Sequence, residues 1–161
     1  MTVQAYVAAG SNVDARRQLG VALAELERSF APLDISPAYA NKAVGFDGED
    51  FINLVVGFRT SLPLAALIAR LQEIETRCGR PREAPKYGPR SMDLDLLLYG
   101  EVVGTFPGAV LPRPDLVRRP YMLGPLADLA PTLMHPTLHR TIGELWAEFD
   151  RTGHALRPVA L

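Results

Sequence analysis

Residues 2–9 alternate between apolar and polar, with Val3, Ala5 and Val7 on one side, and run into Gly10-Ser11-Asn12. This pattern predicts a strand and then a turn whose polar side chains cap the next helix. Leu19, Ala22, Leu23, Leu26 and Phe30 recur at helical spacing and predict a helix over 13–30, closed by Pro32. Leu33, Ile35 and Tyr39 predict a second strand, and Pro37 inside it points to a sheet edge. Residues 41–50 carry two glycines and read as a loop, whereas 51–60, rich in Val, Ile and Phe, form a third strand. Ser61 and Pro63 open a second helix with Leu64, Leu67, Ile68, Leu71, Ile74 and Cys78 on one stripe, and Gly79 stops it. A loop over 80–90 leads to a fourth strand over 91–99. Prolines at 107, 112, 114, 120, 125, 131 and 136 leave room only for short helices in the remainder. One of these is marked by Thr141 and Glu144, the spacing of a capping box.

The order strand, helix, strand, strand, helix, strand predicts an α+β fold of the ferredoxin-like sandwich type. Its antiparallel sheet is covered by two helices on one face and followed by a C-terminal helical extension. With 161 residues, no internal repeat and no linker, the expectation is a single domain over 1–161.

Charge adds an exclusion. Seventeen Lys and Arg against eighteen Asp and Glu leave almost no net field, so a dedicated nucleic-acid partner is not expected and any grip on phosphate is local. Cys78, the single cysteine, cannot form an internal disulfide and reads as a small core residue. The start has no basic region followed by a long apolar one, and no apolar run approaches the roughly 20 residues that span a bilayer. A cytoplasmic location with no membrane partner is expected.

The chemistry concentrates in Lys86-Tyr87-Gly88-Pro89-Arg90-Ser91-Met92-Asp93-Leu94-Asp95-Leu96-Leu97. On a strand Asp93 and Asp95 point the same way, about 7 Å apart, with Met92, Leu94, Leu96 and Leu98 on the core side. Such a pair suits a hard cation whose shell is completed by substrate phosphates; alone, Asp-x-Asp also fits a solvent-facing strand side. Arg77, Arg80, Arg82, Lys86 and Arg90 stand against one acid, Glu83, and place fork-shaped phosphate donors beside that pair. Metal-holding carboxylates with guanidiniums are the equipment of phosphoryl transfer. A P-loop and a Gly-x-Ser-x-Gly elbow are both lacking, and His135, His139 and His154 show no metal-ligand spacing.

The segment from Lys86 to Leu97 resembles the signature of the 6-hydroxymethyl-7,8-dihydropterin pyrophosphokinases, in which Gly-Pro-Arg leads into Asp-x-Asp. Ala9-Gly10-Ser11-Asn12, Asp50-Phe51-Ile52-Asn53, Glu75 with Gly79-Arg80, and Arg119-Pro120-Tyr121-Met122-Leu123 are similar to further family elements in the same order. The resemblance implies an ATP-dependent transfer of pyrophosphate to the pterin alcohol, with AMP as the second product. It implies Asp93 and Asp95 as catalytic ligands of two magnesium ions, and Arg80 and Arg90 as catalytic groups on the ATP phosphates, with Arg82 and Tyr87 helping the loop close. Phe51 and Tyr121 would hold the pterin ring, Asn53 its edge, and the backbone around Asn41 and Val44 its remaining polar atoms. Glu75 and Arg119 would lie near the nucleotide.

Three departures stand out. Asn41-Lys42-Ala43-Val44 stands where the family favours a Thr-Pro-containing stretch. Pro112-Arg113-Pro114 replaces a Pro-His sequence that serves the nucleotide in the family, leaving Arg113 to take a phosphate instead. Tyr87 stands where tryptophan is common. The altered 112–114 segment also motivates a rival reading, a catalytically weak sandwich used as a nucleotide- or partner-binding module. A monomer is expected.

Overall fold

A computed structural model of the chain describes residues 1–41, 50–79, 92–152 and 156–161. Strand β1 (Val3–Ser11) leads into helix α1 (Ala15–Phe30), and two short strands, β2 (Asp34–Ile35) and β3 (Ala38–Asn41), precede the long β4 (Phe51–Thr60). Helix α2 (Leu64–Arg77) and strand β5 (Asp93–Tyr99) complete the second half. After them come a hairpin of β6 (Gly104–Phe106) and β7 (Ala109–Leu111), a 3-10 turn (Pro114–Val117), helices α3 (Pro120–Leu129) and α4 (Ile142–Glu148), and strand β8 (Arg157–Val159).

The main sheet runs β5-β1-β4-β3-β8, with every pairing antiparallel and β2 joined to β4 beside β3. Its first four members follow the fourth–first–third–second order of a split β-α-β sandwich, as the element order predicts. Strands β1 and β4 lie in the middle, and for that reason β4 is buried on both faces along most of its length.

Both faces of the sheet are covered, which extends the expectation of helices on one face. On one side Leu19, Ala22, Leu26 and Phe30 of α1 and Leu67, Leu71 and Ile74 of α2 bury against Ala5, Val7, Leu54, Val56, Phe58, Leu94 and Leu96. Phe30 stacks on Phe58 with ring centroids 4.3 Å apart. Cys78 sits in this cluster, a core residue as expected. On the other side Leu116, Met122, Leu123, Leu126 and Ile142 close over Ala8, Val55, Leu97 and Leu98. The proline-broken tail is thus a third layer. Residues 120 and 122–127 of α3 are all buried, and a side chain on Gly124 would press within 3.0 Å of Trp146 on α4.

Several local expectations change. Ser11 and Asn12 do not cap α1: Asp14, at φ 49°, occupies that position without a side-chain cap bond, and the Ser11 hydroxyl donates to the Val13 carbonyl. Pro37 does not leave its strand at an edge. It splits the segment into β2 and β3, and β8 then covers β3 through pairs such as Ala38 with Val159. Leu98 leaves the face of Met92, Leu94 and Leu96, because the β1–β5 register slips between Tyr6 and Val7. That bulge inserts Leu97 as an extra residue and reverses the alternation after it. By contrast Gly79, at φ 90°, ends α2 as read, and the Thr141–Glu144 capping box is complete.

Candidate active site

Alternation places Ile52, Leu54, Val56 and Phe58 of β4 in the α1/α2 core, so Phe51, Asn53 and Val55 face the α3/α4 side. The same rule turns Asp93 and Asp95 to that side, since Leu94 and Leu96 point to the opposite one. Cross-strand register then aligns them in rows. Tyr39 pairs with Asn53, Asn53 with Gly10 and Gly10 with Asp93, a line across four strands. One row deeper, Val55, Ala8 and Asp95 are aligned, and one row outward Asn41 pairs with Phe51. Asn53 and Asp93 are thus two strands apart, about 10 Å between backbones, with only glycine between them.

Specific contacts hold these groups. The Asn53 amide donates from Nδ2 to Asn41 Oδ1, and its own Oδ1 lies above Gly10. Tyr39 donates its hydroxyl to Asp128 Oδ2 at 2.5 Å, tying β3 to the C-terminal end of α3; burial and this bond push the phenol up to about 12. Glu75, near the end of α2, accepts the Leu94 amide proton at Oε2 over 2.8 Å, so the peptide between the two aspartates is pinned to a helix.

Arg113 approaches from the tail. Its amide donates to the carbonyl of the bulged Leu97 at 3.0 Å. Its Nη2 lies 3.5 Å from Asp95 Oδ1 and 3.7 Å from Asp115 Oδ2. Arg119 occupies the N-cap position of α3, and Tyr121 follows in the first turn of that helix.

Of the residues singled out by sequence, Asn41, Phe51, Asn53, Asp93, Asp95, Arg113 and Tyr121 fall on the α3/α4 side of the sheet. Glu75 reaches this region through the backbone of Leu94. Val44, Arg80, Arg82, Tyr87 and Arg90 lie outside the described residues. Sequence reasoning missed Gly10 as a functional position, although glycine inside a strand is a general signal of close approach. It also missed Asp115 and the Tyr39–Asp128 tie, which join segments far apart in the chain and leave no local pattern. His135 is structural: it is buried, and its Nδ1 accepts from the amides of Thr137 and Leu138.

Among the described residues no three His, Cys, Asp or Glu stand close enough to hold a metal by themselves. The donor set of Asp93 and Asp95 nevertheless fits magnesium, which ordinarily takes one or two carboxylates and leaves the rest of its shell to water and substrate phosphates. On β1 the cross-strand neighbours of the pair are small, Gly10 beside Asp93 and Ala8 beside Asp95, and the Asn53 amide lies over that glycine.

An antiparallel sandwich that sets two carboxylates and an arginine at one end of its sheet has the equipment of phosphoryl-transfer enzymes. A family model described as 7,8-dihydro-6-hydroxymethylpterin-pyrophosphokinase (HPPK) matches residues 6–131, and the chain belongs to this family. A Pseudomonas aeruginosa protein named 2-amino-4-hydroxy-6-hydroxymethyldihydropteridine pyrophosphokinase is 39% identical over 140 residues, covering 84% of this chain and 86% of that one. A protein of the same name from Aquifex aeolicus is 33% identical over 145 residues, covering 89% and 90%. Among solved structures, an HPPK-DHPS in complex with substrates superposes with a TM-score of 0.72 at 14% identity, over 95% of this chain and 44% of that one. Plasmodium falciparum HPPK-DHPS wild type gives 0.72 at 14%, over 96% and 46%. This chain spans less than half the length of those two, and at such identity the likeness speaks for the fold.

Proposed function

We infer that residues 1–161 act as one pyrophosphokinase domain, which transfers the β,γ-pyrophosphoryl group of ATP to 6-hydroxymethyl-7,8-dihydropterin, yielding the pterin pyrophosphate and AMP. The observation that carries the reading, beside family membership, is the row joining Asn53, Gly10 and Asp93 across three strands. It gives a hydrogen-bonding amide that lies over Gly10 at one end and a carboxylate at the other.

In this reading the pterin lies toward β3 and β4. Phe51 and Tyr121 hold the ring faces, where offset aromatic contact suits a flat heterocycle. Asn53, oriented by Asn41, meets the polar edge, and the backbone of Asn41 and Val44 serves the rest. The nucleotide lies toward β5, with Arg80, Arg82, Tyr87, Arg90, Arg113 and Arg119 around its phosphates. Asp93 and Asp95 would hold two magnesium ions, which when bound offset charge on the phosphate oxygens. Glu75 keeps the Asp93–Leu94–Asp95 peptide in place near the nucleotide. The hydroxymethyl oxygen attacks the β-phosphorus in line and releases its proton, and AMP departs with the electron pair of the broken bond between the β-phosphorus and the bridging oxygen. Fixing the two substrates in register is the main device, since orientation alone contributes up to roughly 7–11 kcal/mol. Guanidiniums gathered around the phosphates would stabilise charge on the transferred group. The protein acts as a cytoplasmic monomer in this reading, and no described helix is long and apolar enough to cross a membrane.

The test is AMP release by the purified protein with ATP, magnesium and 6-hydroxymethyl-7,8-dihydropterin, beside Asp95→Ala. AMP that requires both magnesium and pterin, and falls by at least about 100-fold in the variant, supports the reading. ATP binding without AMP would overturn it in favour of a nucleotide-binding module.

A further inference from the structure

Arg113 stands between two prolines. Pro112 and Pro114 confine its backbone, which is extended at φ −61° and ψ 124°. Its amide is fixed to the Leu97 carbonyl at the bulge that ends the alternation of β5. The residue therefore has a rigid base two positions along the strand from Asp95, while its long side chain keeps its freedom.

The guanidinium is poorly satisfied where it rests. Its side chain is only 21% exposed, yet its contacts to Asp95 and Asp115 are 3.5 and 3.7 Å, well beyond the roughly 2.7–2.9 Å of a good charge-assisted bond. Its Nε is buried and finds no acceptor among the described residues. A planar fork with a spare buried donor, held loosely against a carboxylate, suits a tetrahedral anion better than the partner it has. Its charge also bears on that carboxylate. A divalent cation at Asp95 must share the site with a positive group unless an anion takes the guanidinium away.

We propose that Arg113 couples metal and nucleotide binding: it is a counter-ion of Asp95 before ligands bind and moves to a nucleotide phosphate when a divalent cation takes Asp95. The proposal rests on the function inferred above and concerns the order imposed on that site. Linkage makes the coupling reciprocal, so metal strengthens nucleotide binding by the factor by which nucleotide strengthens metal binding. Arg113 is a positioning residue in this role, acting through charge.

The experiment measures two affinities separately. Mn2+ binding without nucleotide is followed by the loss of free-ion paramagnetic resonance, and binding of a fluorescent non-hydrolysable ATP analogue is followed in EDTA. In Arg113→Gln and Arg113→Met, Mn2+ alone binds tighter and the analogue alone binds weaker, each by at least about fivefold, the lower end of ordinary coupling factors. Arg113→Lys keeps the charge and leaves Mn2+ affinity near that of the wild type. Opposite movement of the two affinities is something that damage to the fold cannot produce. Affinities that fall together in both neutral variants, or Mn2+ binding that stays unchanged in them, would overturn the proposal. If AMP forms in the wild type and the affinities fail to separate, only this inference falls; if no AMP forms, the functional reading falls as well.

Discussion

Asn53 Oδ1 occupies the space that any side chain on Gly10 would need: a Cβ at residue 10 would stand 2.3 Å from that oxygen. The glycine is required for close approach across the β1–β4 ladder, and through it the Asn53 amide lies flat on the sheet with Nδ2 directed to Asn41. Gly10→Ala should turn Asn53 out of this position and break its bond to Asn41. Loss of one oriented hydrogen bond, about 1.4 kcal/mol, predicts a KM for the pterin raised about tenfold. Affinity for an ATP analogue should stay unchanged, and an equal loss for both substrates would refute a local effect.

The bond from the Leu94 amide to Glu75 predicts a split between two substitutions at one position. Glu75→Ala strips an acceptor from a partly buried N–H, at about 1–3 kcal/mol, and loosens the peptide between the aspartates. Glu75→Gln retains an oxygen at the same reach and should recover most of the stability and turnover. Chemical denaturation with steady-state kinetics checks this. Equal damage from both variants would mean that the charge of Glu75, rather than its acceptor, matters.

Ser36 repairs the sheet where Pro37 interrupts it. Its amide donates to the Val55 carbonyl at 2.9 Å, and its hydroxyl accepts the Val55 amide proton at 2.8 Å, which carries the pairing with β4 across the gap between β2 and β3. Ser36→Ala leaves a fully buried N–H on a central strand without an acceptor. The expected cost is about 1–3 kcal/mol in urea unfolding. A loss below about 0.5 kcal/mol, the range of ordinary surface changes, would show that the strand rearranges to satisfy itself.

His135 predicts a pH dependence. Burial lowers its pKa from the ordinary 6.5, and Nδ1 must stay unprotonated to accept from Thr137 and Leu138. Below pH 6.5 the unfolded chain binds this proton more readily than the folded one, so stability is present above that pH and is lost as pH falls through the folded value. His135→Asn, with an oxygen near the Nδ1 position, should flatten the drop in Tm between about pH 7 and pH 5. Identical profiles for the two proteins would rule out His135 as its source.

Much of this was legible in the residues themselves. The alternation in Met92-Asp93-Leu94-Asp95-Leu96 fixed which groups share a face before any fold was known, because a period of two permits only one division. The same holds for Phe51 and Asn53 against Ile52 and Leu54, and for the helical stripes of α1 and α2. Capping at Thr141 and the stop at Gly79 are written locally, since a hydrogen bond within three residues or a positive φ needs no distant partner.

What only the tertiary structure decided depends on pairings between remote segments. The coverage of β3 by β8 joins residues more than a hundred positions apart, and nothing local in Arg157-Pro158-Val159 selects that edge. The tail's third layer arises because the second face of the sheet, with Ala8, Val55 and Leu97, is apolar and must be buried by whatever chain remains. The bulge at Leu97 is a register event between two strands, which the pattern of one strand cannot show. It moves Leu98 to the far face and presents the carbonyl that anchors Arg113. The sequence determined the kinds of groups this protein carries and which side of each element they occupy. Their meeting in one row, and the contact of Arg113 with Asp95, came from strand order and register, which are properties of the whole chain closing on itself.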